Sequence, residues 1–293
     1  MYAQFFGAYL LNKQAVSTEQ LIDAIRKLSD ARIKLGTLAM HSGLMSAEEV
    51  DEVCFMQTRE DKRFGEIAIE RGYLNKDQVE ELLESQIPDY LLLGQNLVDT
   101  EALTNGDLER LMADYQDDTE IHDMGFDNIE GTKELISKFF ELSDQFLDPV
   151  YILYINLLFN DLIRFLGGDF TPLSPVKEKE LPVQYSVTQR VLGEVNITSR
   201  IEMPRDVAIS FASRYAKMEF EEFDEYVSAS LEDFLNLHNG LFSVNMSNSA
   251  SMELTLEPPF TEGEDTVLDL PEETYIIPVI YPFGTIQMIL TLA

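Results

Sequence analysis

Asp233-Phe234-Leu235-Asn236-Leu237-His238-Asn239-Gly240 is the stretch on which the reading of this chain turns. At about 100° per residue, Val227, Leu231, Phe234, His238 and Leu241 share one stripe, the core face of a helix running from about Glu222 to His238. Asp233, Asn236 and Gly240 fall on the opposite face, at spacings of three and four. His238, on the core stripe, reads as a packed residue rather than a base. An acid and an amide on a solvated helix face are common, and alone they name no chemistry.

Working outward, Pro204-Arg205-Asp206 opens a preceding helix carrying Val207, Ile209, Phe211 and Ala212. Before it come two strand-like runs, Gln184 to Arg190 and Gly193 to Ile201, with Gly193 at the hairpin turn. Earlier still, an amphipathic helix pattern runs from Leu135 to about Phe165, with a break at Pro149 and a stop at Gly167-Gly168. After the Asp233 helix come strands at Ser251 to Leu256, Tyr275 to Tyr281 and Gly284 to Leu292. The order is helix, two strands, two helices, three strands. That predicts an α+β domain over 140–293, a mostly antiparallel sheet covered by helices on one face.

The run from Glu219 to Glu225, then Asp233 to Gly240, resembles the CheC/CheX/FliY family of chemotaxis phosphatases. The family motif is Glu-x-x-Asn-x-x-x-Gly on an exposed helix, which follows a helix ending in a Met-containing turn, here Tyr215-Ala216-Lys217-Met218-Glu219. The strand before Pro258-Pro259 and the closing hairpin also fit. A single copy of the motif is more like CheX than CheC. The resemblance implies that Asn236 orients a water toward an aspartyl phosphate on a CheY-like response regulator. Asp233 would pair with a lysine of that partner, and Gly240, Leu237 and Glu232 would lie at the contact. It also implies that this chain holds no cofactor of its own, that Mg2+ comes with the phosphorylated partner, and that the domain forms a homodimer. Asp233 departs from the family glutamate. Glu232, next to it, points about 100° away on a helix. Two readings stay open: a phosphatase, and a regulator-docking adaptor without turnover.

The first 115 residues are a repeat. Gly7, Gly36, Gly65 and Gly94 stand 29 apart, each of 36−7, 65−36 and 94−65 giving that interval. Apolar residues hold the register: Leu10, Ala39, Ala68 and Leu97; Val16, Met45, Leu74 and Leu103; Leu21, Val50, Val79 and Leu108. Each unit reads as two short helices, the second opened by a capping box: Ser17 with Gln20, Ser46 with Glu49, Asn75 with Gln78, Thr104 with Asp107. One such pair cannot bury its apolar stripe alone, whereas four stacked pairs can. The expectation is an all-α domain of four helical pairs over 1–115. It is similar to the MshEN-like N-terminal domains of type II secretion and pilus ATPases, some of which bind cyclic di-GMP. The matching copies are Lys34-Leu35-Gly36 running to Gln57 and Arg63-Phe64-Gly65 running to Gln86, so that resemblance implies nucleotide contacts at Lys34, Gly36, Arg63 and Gly65. Phe5 and Leu92 stand where the outer copies would carry arginine. The other reading of the repeat is a protein–protein adaptor.

Residues 116–139, with Asp117-Asp118-Thr119-Glu120, Asp123, Asp127 and Glu130, read as an acidic linker after a helix at Asp107 to Tyr115. The net charge of −32 argues against a nucleic-acid partner, whose phosphates need Lys and Arg, and against an anionic membrane surface. The apolar stretch Tyr151 to Leu166 is too interrupted by Asn156, Asn160, Asp161 and Arg164 to insert into a bilayer. The single cysteine, Cys54, reads as a small buried apolar residue in a reducing compartment, and the chain as cytoplasmic. No Gly-rich phosphate loop, Cys/His metal spacing or serine elbow is present.

Overall fold

A glycine every 29 residues has a packing cause. In a computed structural model of the chain, a Cβ on Gly36 would stand 2.9 Å from Val50 Cγ1 and one on Gly94 2.5 Å from Leu108 Cδ1. On Gly65 it would stand 3.4 Å from Val79 Cγ1. Each partner lies fourteen residues on, in the second helix of the same pair. The missing side chain lets the two helices close on each other. Replacing Gly94 by Ala should cost about 1–3 kcal/mol through overpacking. Hydrogen exchange in the helices around Gly94 and Leu108 checks this, and unchanged protection there would refute it.

The structure describes residues 2–28, 32–85, 89–120, 149–263 and 266–292, with 136, 137 and 140. The chain divides into two compact units, Tyr2–Asp123 and Met124–Ala293.

The first unit holds α1 (Tyr2–Asn12), α2 (Thr18–Arg26), α3 (Leu35–His41), α4 (Ala47–Gln57), α5 (Phe64–Arg71), α6 (Lys76–Glu84), α7 (Asp89–Asp99) and α8 (Asn105–Glu120). Capping boxes at Ser17, Ser46 and Asn75 open α2, α4 and α6. At α8 the Asp107 N–H donates to Thr104 Oγ1 at 3.0 Å while the Thr104 N–H donates to Asp107 Oδ2 at 3.2 Å. The pairs do not stack in chain order. Helix α7 packs on α1, α2 and α3, and α8 on α1, α3 and α4, so the last pair lies against both the first and the second. Leu91, Leu93, Gln95, Asn96 and Leu97 of α7 are all buried, and a helix covered over so much of its surface belongs inside the bundle. Helix α8 continues to Glu120, past the expected helix end at Tyr115 and into the span read as linker. The remainder of that span is largely outside the described residues, as is Gln86.

The second unit begins, in its continuously described part, with α9 (Pro149–Leu166). There follow β1 (Thr171–Pro172), β2 (Glu180–Pro182), β3 (Tyr185–Gly193), β4 (Ile197–Met203), α10 (Arg205–Ala216), α11 (Glu225–Ala250), β5 (Leu254–Leu256), β6 (Phe260–Gly263), β7 (Val267–Asp269), β8 (Thr274–Tyr281) and β9 (Gly284–Leu292). The main sheet is antiparallel in the order β1-β8-β9-β4-β3-β5, with β6 also on β3, and β2 pairs β7 separately. Helix α11 lies on β3, β4 and β5, α10 on β9, and α9 on α10 and α11. Along β3, Tyr185, Val187, Gln189 and Val191 take the positions facing the helices. Ser186 and Thr188 look the other way, toward Glu262, which pairs with Arg200 at 3.2 Å.

Several expected boundaries move. The strands β1, β2, β6 and β7 are too short to give a period. Gly193 ends β3 rather than turning the hairpin; its N–H donates to Asn196 Oδ1 at 3.2 Å and the turn occupies 194–196. Helix α11 starts three residues later than expected and extends twelve residues beyond His238. Its buried face is Val227, Leu231, Phe234, Leu235, His238, Asn239, Phe242 and Met246, so Leu241, placed on the stripe from sequence, is only half-buried. Helix α9 is long and apolar enough to cross a membrane by length and composition. It buries Ile152, Ile155, Phe159 and Leu162 against this unit, and its Asp161 meets His238 Nδ1 at 2.8 Å.

Candidate functional site: the exposed face of helix α11

The site starts with a cap. Asp224 Oδ1 accepts from the N–H groups of Tyr226 and Val227, both at 3.0 Å, and sets the first turn of α11. Phe234, fully buried, anchors the middle of the helix. Its ring meets those of Phe211 and Tyr215 edge-on, with centroids 5.1 and 5.7 Å away. With Phe234 fixed inward, Asp233 and Asn236 emerge on the exposed side one turn apart.

Neither side chain is loose. Tyr215 Oη donates to Asp233 Oδ2 at 2.6 Å. Burial, reinforced by the Asp233 carboxylate, pushes the Tyr215 phenol well above its ordinary range, so it remains a donor. Gln189 Nε2 donates to Asn236 Oδ1 at 2.8 Å. Around Gly240 a Cβ would meet nothing within 4 Å. The glycine is not required by the protein's own packing, and it leaves open ground beside the pair. Leu237 is half-buried. Glu232 is half-buried too and accepts from Ser228 Oγ at 3.1 Å, away from the Asp233 face.

Beside Asp233 lies a shallow groove between the end of α10 and the start of α11, lined by Tyr215, Met218, Phe220, Tyr226, Ala229 and Asp233. Met218 and Tyr226 are 63% and 64% exposed, unusual for two such large apolar side chains lining one groove. Exposed Glu219, Glu221, Glu222 and Glu225 stand in the same stretch of chain. The face therefore offers apolar contact area, an acid, and an amide within an acidic border.

Two residues at this site escaped the sequence. Tyr215 was visible only as part of a turn. Gln189 carried a faint signal: in Val187-Thr188-Gln189-Arg190-Val191 a polar residue occupies the inward register between two valines.

Of the residues singled out in the first unit, Lys34 and Gly36 share one cavity. Lys34, Gly36, Phe64, Cys54, Gln95 and Asp99 line a cavity of about 440 Å³, whose lining includes neither Arg63 nor Gly65. Lys34 Nζ is paired with the Asp99 carboxylate, which offsets the charge a phosphate would need. Arg63 is exposed at the N-cap of α5, Phe5 is fully buried and Leu92 half-buried. Cys54, expected to be buried, is exposed. Partial burial and the nearby Asp51 carboxylate push its thiol up, away from the reactive thiolate.

No family model matches the chain, and no curated protein matches it. Among solved structures, it is similar to the chemotaxis protein CheX from Desulfovibrio desulfuricans (TM-score 0.43, 14% identity, 50% of this chain and 100% of that one). A CheC-like superfamily protein from Shewanella gives TM-score 0.43 at 16% identity, over 52% of this chain and 99% of that one. The CheX–CheY–BeF3–Mg2+ complex from Borrelia burgdorferi gives 0.41 at 20% identity, over 47% and 94%. Nothing in these comparisons supports the resemblance of the N-terminal repeats to MshEN-like domains.

Proposed function

We propose that the second unit docks the exposed face of α11 onto a phosphorylated CheY-like response regulator and hydrolyses its aspartyl phosphate. The observation that carries this reading is the outward pair Asp233 and Asn236, each held by a side chain of the same unit, beside the bare backbone at Gly240. A site that must enter another molecule's phosphate pocket needs narrow, pre-oriented groups more than it needs a cleft of its own. Met218 and Tyr226 supply the apolar ground on which a partner can seat.

In this mechanism Asn236 holds the attacking water in line with the phosphoryl group, and Asp233 anchors a lysine of the regulator. The phosphoryl group and its magnesium arrive with the partner. Positioning and charge placement carry the rate, since phosphoryl transfer asks little covalent chemistry of the catalyst.

One observation favours docking without turnover as the second reading. Aspartate reaches about 1.5 Å less far than the family glutamate, and Tyr215 engages one of its oxygens.

Phosphate release from a phosphorylated CheY-like regulator, with and without the full chain, separates the readings. Accelerated release supports hydrolysis; tight binding at the regulator's own release rate supports docking alone; neither would dispose of both. Asp233→Lys should weaken binding tenfold or more, roughly the loss of one close charge pair, with a much smaller change in kcat. Binding should also weaken as salt is raised, because a chain of net charge −32 meets a basic face through screened attraction.

A further inference from the structure

Asn236 faces solvent on one side and the sheet on the other, and the sheet side decides which end of its amide is free. Gln189 Nε2 donates both to Asn236 Oδ1 at 2.8 Å and to the main-chain carbonyl of Glu257 at 2.9 Å. A main-chain carbonyl only accepts, so the Gln189 group facing it must be the NH2. Gln189 Oε1 then looks inward and accepts from Asn239 Nδ2 at 2.8 Å. Asn239 Nδ2 also donates to Ser199 Oγ at 2.9 Å, and Ser199 donates its own proton to the main-chain carbonyl of Gln189 at 3.3 Å. Asn239 Oδ1 accepts from Tyr154 Oη at 2.7 Å. Burial pushes the Tyr154 hydroxyl up, so it stays a donor.

Gln189, Ser199 and Asn239 are 0% exposed and Tyr154 is 1% exposed. The donors therefore run one way through the buried interior, from Tyr154 to Asn239 to Gln189 to Asn236. Reversing Gln189 or Asn239 would set carbonyl against carbonyl, reversing Asn236 would set its NH2 against the NH2 of Gln189, and such a mismatch is costly where it is buried.

We propose that Gln189 is a positioning residue that locks Asn236 with its NH2, and not its carbonyl, toward the docked partner. The inference rests on the phosphatase reading above. An amide NH2 can hold the attacking water by one lone pair or grip a phosphoryl oxygen, but it cannot take a proton. The water oxygen then bonds to phosphorus as the bond from phosphorus to the regulator's carboxylate oxygen breaks. The electron pair returns to that carboxylate, and the water's proton leaves on the phosphate. This chain supplies orientation and no general base.

Side-chain amide NMR of the full chain tests the orientation without any partner. The NH2 signals of Gln189 and Asn239 should exchange slowly with water while that of Asn236 exchanges fast, and Asn236→Ala should shift a Gln189 Nε2 proton. Fast exchange at Gln189, or Gln189 signals unmoved by Asn236→Ala, would overturn the proposal. Gln189→Met, which keeps the volume and removes the donor, tests the consequence. It should lower kcat for phosphate release about ten- to a hundredfold, the scale of a small misplacement of a reacting group, with KM changed less than about twofold. An unchanged kcat, or kcat and KM lost together, would reduce Gln189 to a structural role. If wild type gives no release above the regulator's own rate, the phosphatase reading fails and the catalytic part of this proposal with it. The exchange data then still decide whether the Asn236 amide is locked.

Discussion

Asn236→Ala should return phosphate release to the rate at which the regulator loses phosphate alone. Asn236 is the one group of the exposed pair with N–H donors to spare, and within the described residues its single bond, from Gln189, is made by its oxygen. Truncation removes the only proposed contact to the water while leaving the helix intact. Alanine is a better helix former than asparagine, and the site is exposed. A positioned transition-state contact of this type is worth about a hundred- to a thousandfold in rate. Binding to a regulator loaded with beryllofluoride should persist, because Asp233, Met218 and Tyr226 remain. If the variant releases phosphate as fast as wild type, Asn236 has no part in the chemistry and the assignment of α11 is wrong.

Phe234→Ala should destabilise the second unit by about 3–5 kcal/mol, the usual cost of deleting a fully buried aromatic ring. Phe234 is 0% exposed and holds edge contacts to Phe211 and Tyr215, with centroids 5.1 and 5.7 Å away. Its loss opens a cavity between α10 and α11 and frees Tyr215, which positions Asp233. Stability and site geometry therefore fall together. Urea unfolding, resolved by hydrogen exchange across α10, α11 and the sheet, measures the effect. A loss below about 1 kcal/mol would mean that the helix pair closes over the gap and that Phe234 does not anchor the site.

Parts of this architecture were plain in the residues. A capping box and a glycine at constant spacing are local signals, so the starts of α2, α4, α6 and α8 could be read directly. The long strands β8 and β9 and the Pro282-Phe283 turn were legible for the same reason. The spatial order of the helical pairs was not, because nothing in a repeat says which copy lies against which. Burial of α7 decided that. The short strands β1 and β6 exist because β8 and β3 offer them an edge, β2 and β7 because they pair with each other, and two to four residues carry no period of their own.

What the sequence by itself determined is the outward placement of Asp233 and Asn236. A helical period with Val227, Leu231, Phe234 and His238 inward leaves those two no other side. Only the tertiary structure decided how they are held, since Tyr215 reaches Asp233 from another helix and Gln189 reaches Asn236 from a strand 47 positions earlier. A helix period ranks directions around one axis. The polarity of an amide depends on which donors and acceptors the fold brings against it, and those come from segments that meet only once the chain is packed.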